Sequence, residues 1–408
     1  MAKLEEMPAY EREHLLSKLR PPLGSFPWVA SEKALSKKRI AIITTAGLSY
    51  RSGTNFDLAD ASYRAIPRDI DINELVMTHV SVNFDRSGFQ EDINVVFPIE
   101  RFHELEALGV IGSSAAVHYS FMGGGLLPEA YEGSVRELAQ CLKDDEVDAV
   151  MVLPVCPNCS RTVCAICHYL ESEGVQTVGI ALFREIAQAM QPPRISWVSF
   201  PLGRPLGRPN DGGFQRDVIT SSLAMLDADS GPVLQDYPVE LPDSGEPPPP
   251  CPVSFKRNQD MDTWRSRIAA EVASLGPWYE LGLQRRGRTT VGVSGRELGE
   301  LIPFVTRWPD HPAEALPELT ELKFALEDLK AFYAEAIMAR PGDYAVGFAE
   351  RIIFDESSLG ALIMAYVEYF DANEQTRPFV RVLTSRESVG RSTGSWAVGT
   401  DGEIVTAD

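Results

Sequence analysis

Five consecutive apolar residues, Ala149 to Leu153, sit between Asp148 and Pro154 and run almost directly into a helical pattern. A strand wetted on one face alternates polar and apolar side chains. One that is apolar throughout must be covered on both faces, as in a parallel sheet. The helical pattern follows from about Ser160 to Glu173 and is closed by Gly174, a residue suited to a helix C-terminus. Strand, short turn and helix together make half of a βαβ unit.

The same alternation extends over residues 35–236. Arg39-Ile-Ala-Ile-Ile-Thr-Thr45 reads as a buried strand closed by Ala46-Gly47, and further strands are expected at Leu75–Val82, Val175–Leu182 and Ile195–Phe200. Helices are expected at 99–109, where Ile99, Phe102, Leu105 and Leu108 share a face, and at 129–143, striped by Val135, Leu138 and Leu142. Cys141 joins that stripe as a small apolar residue. The pattern predicts an α/β fold with a doubly wound, mostly parallel sheet. Residues 1–34 read as an N-terminal helical arm, with a helix over 8–20 stopped by Pro21-Pro22. Residues 237–254, with the run Pro247-Pro-Pro-Pro250, read as a linker. Residues 255–408 read as a mainly α-helical domain, with helices at 260–275, 295–306, 315–340 and 356–372 and a β-like end at Val380–Leu383. Trp264, Trp278 and Tyr279 are core or docking aromatics of that domain. Its Arg285-Arg-Gly-Arg288 is either an anion clamp or a solvated loop.

At 408 residues the chain exceeds one ordinary domain, and its formal charge of −20 disfavours nucleic acid and anionic membranes, which attract basic surfaces. No apolar run approaches the roughly 20 residues of a membrane helix. The polar segment Met1–Arg20 is unlike a secretory or transit peptide, so a cytoplasmic setting is expected. There, clustered cysteines point to redox, catalytic or metal chemistry.

Four of the six cysteines fall together, as Cys156-Pro-Asn-Cys159 and then Cys164 and Cys167. The first pair lies where the strand ends and the helix begins. Backbone N–H groups and the helix dipole favour thiolate there, and Arg161 adds positive charge. Two cysteines at this spacing close a disulfide readily, which suits one attacking and one resolving thiol. The full spacing also admits zinc or an iron–sulfur cluster on Cys156, Cys159, Cys164 and Cys167, although zinc ribbons space their pairs by about 15–20 residues. In the apolar reading, Cys164 and Cys167 pack the helix against the sheet. His168 reads as a surface residue or one on the side of that helix.

Val152-Leu-Pro-Val-Cys156-Pro-Asn-Cys159-Ser-Arg-Thr-Val163 resembles the active-site segment of the glycine/sarcosine/betaine reductase component B family, to which proline reductase is related. The order of motifs is similar as well: His79-Val-Ser-Val-Asn-Phe-Asp85-Arg86, Asp92-Ile-Asn-Val-Val-Phe-Pro98, His118-Tyr119-Ser-Phe-Met-Gly123 and Phe200-Pro-Leu-Gly-Arg-Pro-Leu-Gly-Arg-Pro-Asn-Asp211. The resemblance covers roughly residues 38–230 and leaves 255–408 unaccounted for. It implies reductive cleavage of an activated C–N bond, with a pyruvoyl group on a partner chain holding the substrate amine. It also implies that Cys156 stands where relatives often carry selenocysteine.

Other polar residues fall on loops that a doubly wound sheet gathers at the carboxyl ends of its strands. His79 and Asp85 are candidates for proton transfer or thiol activation. Thr44, Thr45, Arg86, Asn94, His118 and Tyr119 are candidates for substrate binding. The bland alternatives are interior histidines and a structural Asp–Arg pair. His79, Asp85 and His118 form a second possible metal set. Gly123-Gly-Gly125 is a flexible turn or an anion cradle, since no nucleotide-binding glycine pattern is present.

Three readings remain at this point. The first is an oxidoreductase cleaving a polar bond in a small substrate, with Cys156 as nucleophile, Cys159 as resolving thiol and an external thiol or dithiol reductant. The second is a metal protein holding zinc or an iron–sulfur cluster. The third is a non-catalytic subunit docking a partner subunit or a second copy of itself.

Overall fold

A computed structural model describes residues 3–7, 9–30, 33–241, 261–312, 314–342, 344–385 and 388. Most of the Pro-rich segment expected as a linker, from residue 242 on, lies outside them.

Among the described residues, ten short strands occur in chain order: β1 (Arg39–Thr44), β2 (Leu48–Tyr50), β3 (Tyr63–Pro67), β4 (Leu75–Met77), β5 (Ser113–Ser114), β6 (Val117–Phe121), β7 (Ala149–Leu153), β8 (Gln176–Ala181), β9 (Arg194–Trp197) and β10 (Val233–Asp236). The main sheet runs β10-β9-β8-β7-β1-β6-β3, with β5 beside the start of β1. All its pairings are parallel except β3 on β6, at the edge. The α/β fold with a doubly wound, mostly parallel sheet is therefore the one expected. The expected strand over 75–82 is shorter, and its residues 75–77 pair with β2 in a separate two-stranded antiparallel sheet.

Direction reverses at β1. The chain goes to β6 on one side and then crosses to β7 on the other, which opens a crevice at the carboxyl ends of β6, β1 and β7. Thr44 is in register with both Ser120 and Leu153, so the three strands end level with one another. Every residue of β7 is buried, as its unbroken apolar run requires.

The helix Pro157–Ser172 follows β7 and packs on β8. Its start is fixed locally. Pro157 occupies the first turn, where a missing N–H leaves no bond unmade, and Cys156 caps the end by accepting the Cys159 amide at 3.3 Å. Gly174, at φ +86°, ends the segment in a conformation that side chains resist.

A second apolar core belongs to the helical half, whose longest helices are Trp264–Arg286 and Leu319–Met338. The helix expected over 356–372 is present as Ser358–Asp371, capped by Ser357, and a further helix, Phe348–Glu356, precedes it. The β-like end expected at Val380–Leu383 is corrected: these residues are helical, continuing a turn that opens at Arg377-Pro378. Alternating valines read as a strand in isolation, but here Val380, Val382 and Leu383 are buried together against the neighbouring helices. Among the described residues, no helix is long and apolar enough to cross a membrane.

Candidate active site

Cys156 and Cys159 sit at the mouth of the crevice, at the junction of β7 and its helix. Their sulfurs are 2.8 Å apart and both side chains are buried. Three further segments close around them. Thr45, at the end of β1, offers its carbonyl 3.7 Å from Cys159 Sγ, while its hydroxyl donates to the Leu153 carbonyl. His79, beyond β4, places Nε2 3.2 Å from Cys159 Sγ. Gly123, beyond β6, passes so close that a Cβ there would lie 2.9 Å from Cys159 Sγ and 2.6 Å from Thr45 Cβ. Gly124 does the same over His79, its Cβ falling 3.0 Å from Cε1. The glycine run is therefore a close-packed lid on the thiols and their histidine, which the bare spacing of glycines does not disclose.

His79 Nδ1 accepts the Ser81 amide at 3.0 Å. That hydrogen bond assigns the proton of the neutral ring to Nε2, which then points at Cys159 Sγ as a donor. Burial and the bond to Cys159, with that neighbour's charge, push the Cys156 thiol up. Burial acts on Cys159 in the same sense, but the hydrogen bond from Cys156, the adjoining His79 and Thr45 outweigh it and hold this thiol well below its ordinary value. The pair thus shares one proton, with the negative charge resting on Cys159.

The histidine loop is braced from two directions. Arg86 donates to the His79 carbonyl at 3.1 Å and the Ser81 carbonyl at 3.0 Å, and pairs with Glu327 of the helical half. Lys323, from the same helix as Glu327, donates to the His79 carbonyl at 3.3 Å. Lys323 is wholly buried, and burial lowers it to about 7, opposed by Glu327. Glu327 stays ionised because Arg86, Lys330 and Lys323 surround it and override its burial. Sequence reasoning missed Lys323 and Glu327, since a lysine and a glutamate four apart on a helix read as an exposed pair.

The remaining candidates are placed elsewhere. Asp85 accepts from Arg204 at 2.9 Å and from the Ser87 amide and hydroxyl, as a buried structural pair. Thr44 donates to the Val96 carbonyl on the far side of the strand end. Asn94 bonds Asp92 and Glu100. His118 lies between the Ile42 amide and Ser114, packed on Phe97 and Phe102, and burial pushes it down to about 3. Tyr119 stands edge-on to Tyr63, and its phenol is pushed up to about 12, chiefly by burial. Cys164 and Cys167 are buried under the sheet, with burial raising both thiols, and Cys167 Sγ faces Thr177 and Gly179.

Among the described residues, His79, Cys156 and Cys159 are the one set of potential metal donors gathered in a single place, all within 4.8 Å. Neither the four-cysteine set nor His79/Asp85/His118 is assembled. The motif Pro201-Leu-Gly-Arg204 locks the site from outside. Gly203 donates to the Val155 carbonyl, next to Cys156, and Leu202 accepts the Asp85 amide. Gly203, at φ +90°, leaves no room for a Cβ, which would fall 1.9 Å from the Asp85 carbonyl oxygen.

A doubly wound sheet with a dithiol and a histidine at its switch point defines an α/β protein built around a buried thiol pair. Comparison with known proteins gives it a lineage: the chain belongs to the glycine/sarcosine/betaine reductase selenoprotein B family. The family model matches residues 19–154, ending just short of the thiols. The D-proline reductase subunit gamma of Acetoanaerobium sticklandii is 30% identical over 235 residues, which are 57% of this chain and 91% of that subunit. The glycine reductase complex component B subunit gamma of Symbiobacterium thermophilum is 28% identical over 200 residues, 47% of each chain. The sarcosine reductase complex component B subunit beta of Peptoclostridium acidaminophilum is 25% identical over 214 residues, 50% of this chain and 49% of that one. The chain thus spans most of the proline reductase subunit but about half the length of the other two. No solved structure matches it.

Proposed function

We propose that this protein is the thiol-bearing subunit of a reductase that cleaves a C–N or comparable polar bond in a small amino-acid-like substrate, working with a partner subunit. The observation that carries this reading is the 2.8 Å Cys156–Cys159 pair with His79 Nε2 3.2 Å from Cys159, at the switch point of the sheet. In the proposed cycle Cys159 takes the Cys156 proton as the Cys156 sulfur attacks carbon. The bond to the leaving group breaks, and that group departs with the electron pair and gains a proton. Cys159, deprotonated again and held by His79, then attacks the Cys156 sulfur. The S–S bond forms, the S–C bond breaks, and the carbon takes a proton from water. Two thiols are oxidised to a disulfide while C–X becomes C–H and X–H. An external dithiol resets the pair.

Glycine, sarcosine, betaine and D-proline are the substrates to try, with a partner subunit and a dithiol present. Cys156→Ser is expected to abolish turnover, and Cys159→Ser to leave a covalent adduct visible in the intact mass. Full turnover by the Cys156→Ser protein overturns the proposal.

The three gathered donors favour a second reading, a metal centre on His79, Cys156 and Cys159. Tetrahedral zinc with Zn–S near 2.3 Å sets its sulfurs about 3.8 Å apart. The 2.8 Å observed lies nearer the bonded distance of a disulfide, about 2.05 Å, so the dithiol is preferred. Stoichiometric metal in protein purified without added metal, lost in His79→Ala, would reverse that preference.

A further inference from the structure

Both sulfurs of the thiol pair are wholly buried, and so are Thr45 and His79 around them. Attack on carbon therefore requires part of the enclosure to move. Thr45 is bonded through its amide and its hydroxyl to Leu153 of β7. The His79 loop is held by Arg86 and Lys323. The glycine run is tied down more sparsely. Among the described residues, neither Gly124 nor Gly125 makes a hydrogen bond. The run also leads outward: Gly124 is buried, Gly125 and Leu126 are half-buried, and Leu127 is exposed.

The backbone just before this run is what closes it. Tyr131 Oη donates to the Met122 carbonyl at 2.7 Å, and Thr162 Oγ1 donates to the Gly123 carbonyl at 3.0 Å. The Gly123 amide donates at 3.1 Å to the Thr45 carbonyl, the oxygen that Cys159 Sγ also approaches. Thr162 lies three residues after Cys159 on the same helix, so the element that carries the thiols also holds their cover. A threonine inside a helix ordinarily turns its hydroxyl back to its own helix or out to water. Tyr131 is buried, and burial chiefly pushes its phenol up, so it remains a donor.

We propose that Thr162 and Tyr131 are positioning residues that latch the Met122–Gly123 backbone over the thiols. Substrate and the external dithiol enter when the latch releases and the chain pivots at Gly124 and Gly125. The inference rests on the thiol chemistry proposed above, which is what requires entry, and it adds the point at which entry is controlled.

The test is alkylation of the full chain by iodoacetamide over a series of pH values, without substrate or partner, read cysteine by cysteine by peptide mapping. A closed site is labelled through its rare openings, so the rate follows their population. Thr162→Val keeps the size of the side chain and leaves the Gly123 carbonyl without a donor. It should raise the plateau rate at Cys156 and Cys159 about fivefold, as should Tyr131→Phe. Thr162→Ser restores the hydroxyl and should return the rate to that of the parent. The pH midpoint should not move, because His79 and Cys156 still face Cys159. Cys167, buried against Gly179 of β8, reports opening of the whole fold and should stay unlabelled.

Unchanged labelling in both Thr162→Val and Tyr131→Phe overturns the latch, as does a Thr162→Ser protein labelled as fast as Thr162→Val. A shifted midpoint at an unchanged plateau overturns it too, since the two residues would then set acidity and not access. Labelling of Cys167 at the same raised rate counts equally against it. Turnover is not read in this experiment, so the latch can fail while Cys156→Ser still abolishes activity, and the reverse.

Discussion

The two halves of the molecule hold the thiol site by different means. The α/β half uses backbone: strand ends in register, a capping sulfur, and glycines that pass within van der Waals distance of the thiols. The helical half packs its apolar core on Val80 and Met122, beside His79 and Gly123, and adds two long side chains, Lys323 and Glu327, which grip the carbonyl of His79 and the arginine beside it. Backbone scaffolding is stiff and tolerates little change in shape. A buried charge cluster tolerates changes of shape but fails if its charges stop balancing.

The sharpest way to break this contrast is Glu327→Leu. It takes from Arg86, Lys330 and the wholly buried Lys323 the one carboxylate that all three face. Removing one partner from a buried cluster typically costs about 3–5 kcal/mol. Denaturant unfolding should register a loss of that order, together with a changed thiolate absorbance as the His79 loop loosens. A loss near zero would mean the helical half does not brace the site.

The next largest effect is expected in the other half. Gly123→Ala inserts a methyl against Thr45 Cβ and Cys159 Sγ, at 2.6 and 2.9 Å, and the strand end cannot retreat. Overpacking of this kind costs about 1–3 kcal/mol. Because the displaced atom is Cys159 Sγ, the readout specific to the site is a raised apparent pKa of the thiol pair. If stability falls but thiol ionisation is unchanged, the glycine serves packing alone.

These two substitutions also mark what the sequence could and could not disclose. The parallel sheet was legible because β7 is apolar along its whole length, and the thiol pair because Cys156-Pro157 marks a helix start after a strand. The strand β6 was not, since Val-His-Tyr-Ser-Phe mixes polar and apolar residues, although its middle is buried. Its histidine and tyrosine therefore read as substrate-binding candidates on a loop at the strand ends. Proximity across the chain was the other blind spot. His79 meets Cys159 only because β4 sits in a separate small sheet, and no spacing rule links residues 80 positions apart. Lys323 and Glu327 were hidden for the same reason, in a helix whose fully buried polar residues contradict its surface-like pattern.

His118 supplies the mildest test, because it belongs to the scaffold and not to the site. Its ring is buried and neutral, accepting from the Ile42 amide of β1 at 3.1 Å. Folding lowers its pKa from the ordinary 6.5 to about 3, so between those values the unfolded chain binds a proton that the folded chain does not. Stability contributed by the neutral ring is then complete above pH 6.5 and falls as the pH drops toward 3. At a pH about 1.5 units below the unfolded value, the loss amounts to about 2 kcal/mol. His118→Asn keeps an acceptor for the Ile42 amide and removes the titration, so it should flatten the acid limb of the stability curve even where the change itself lowers stability at neutral pH. The slope and not the absolute stability carries the result. An acid limb as steep in the variant as in the parent would place the acid sensitivity on the carboxylates, and would leave β1 and β6 joined without help from the charge state of this ring.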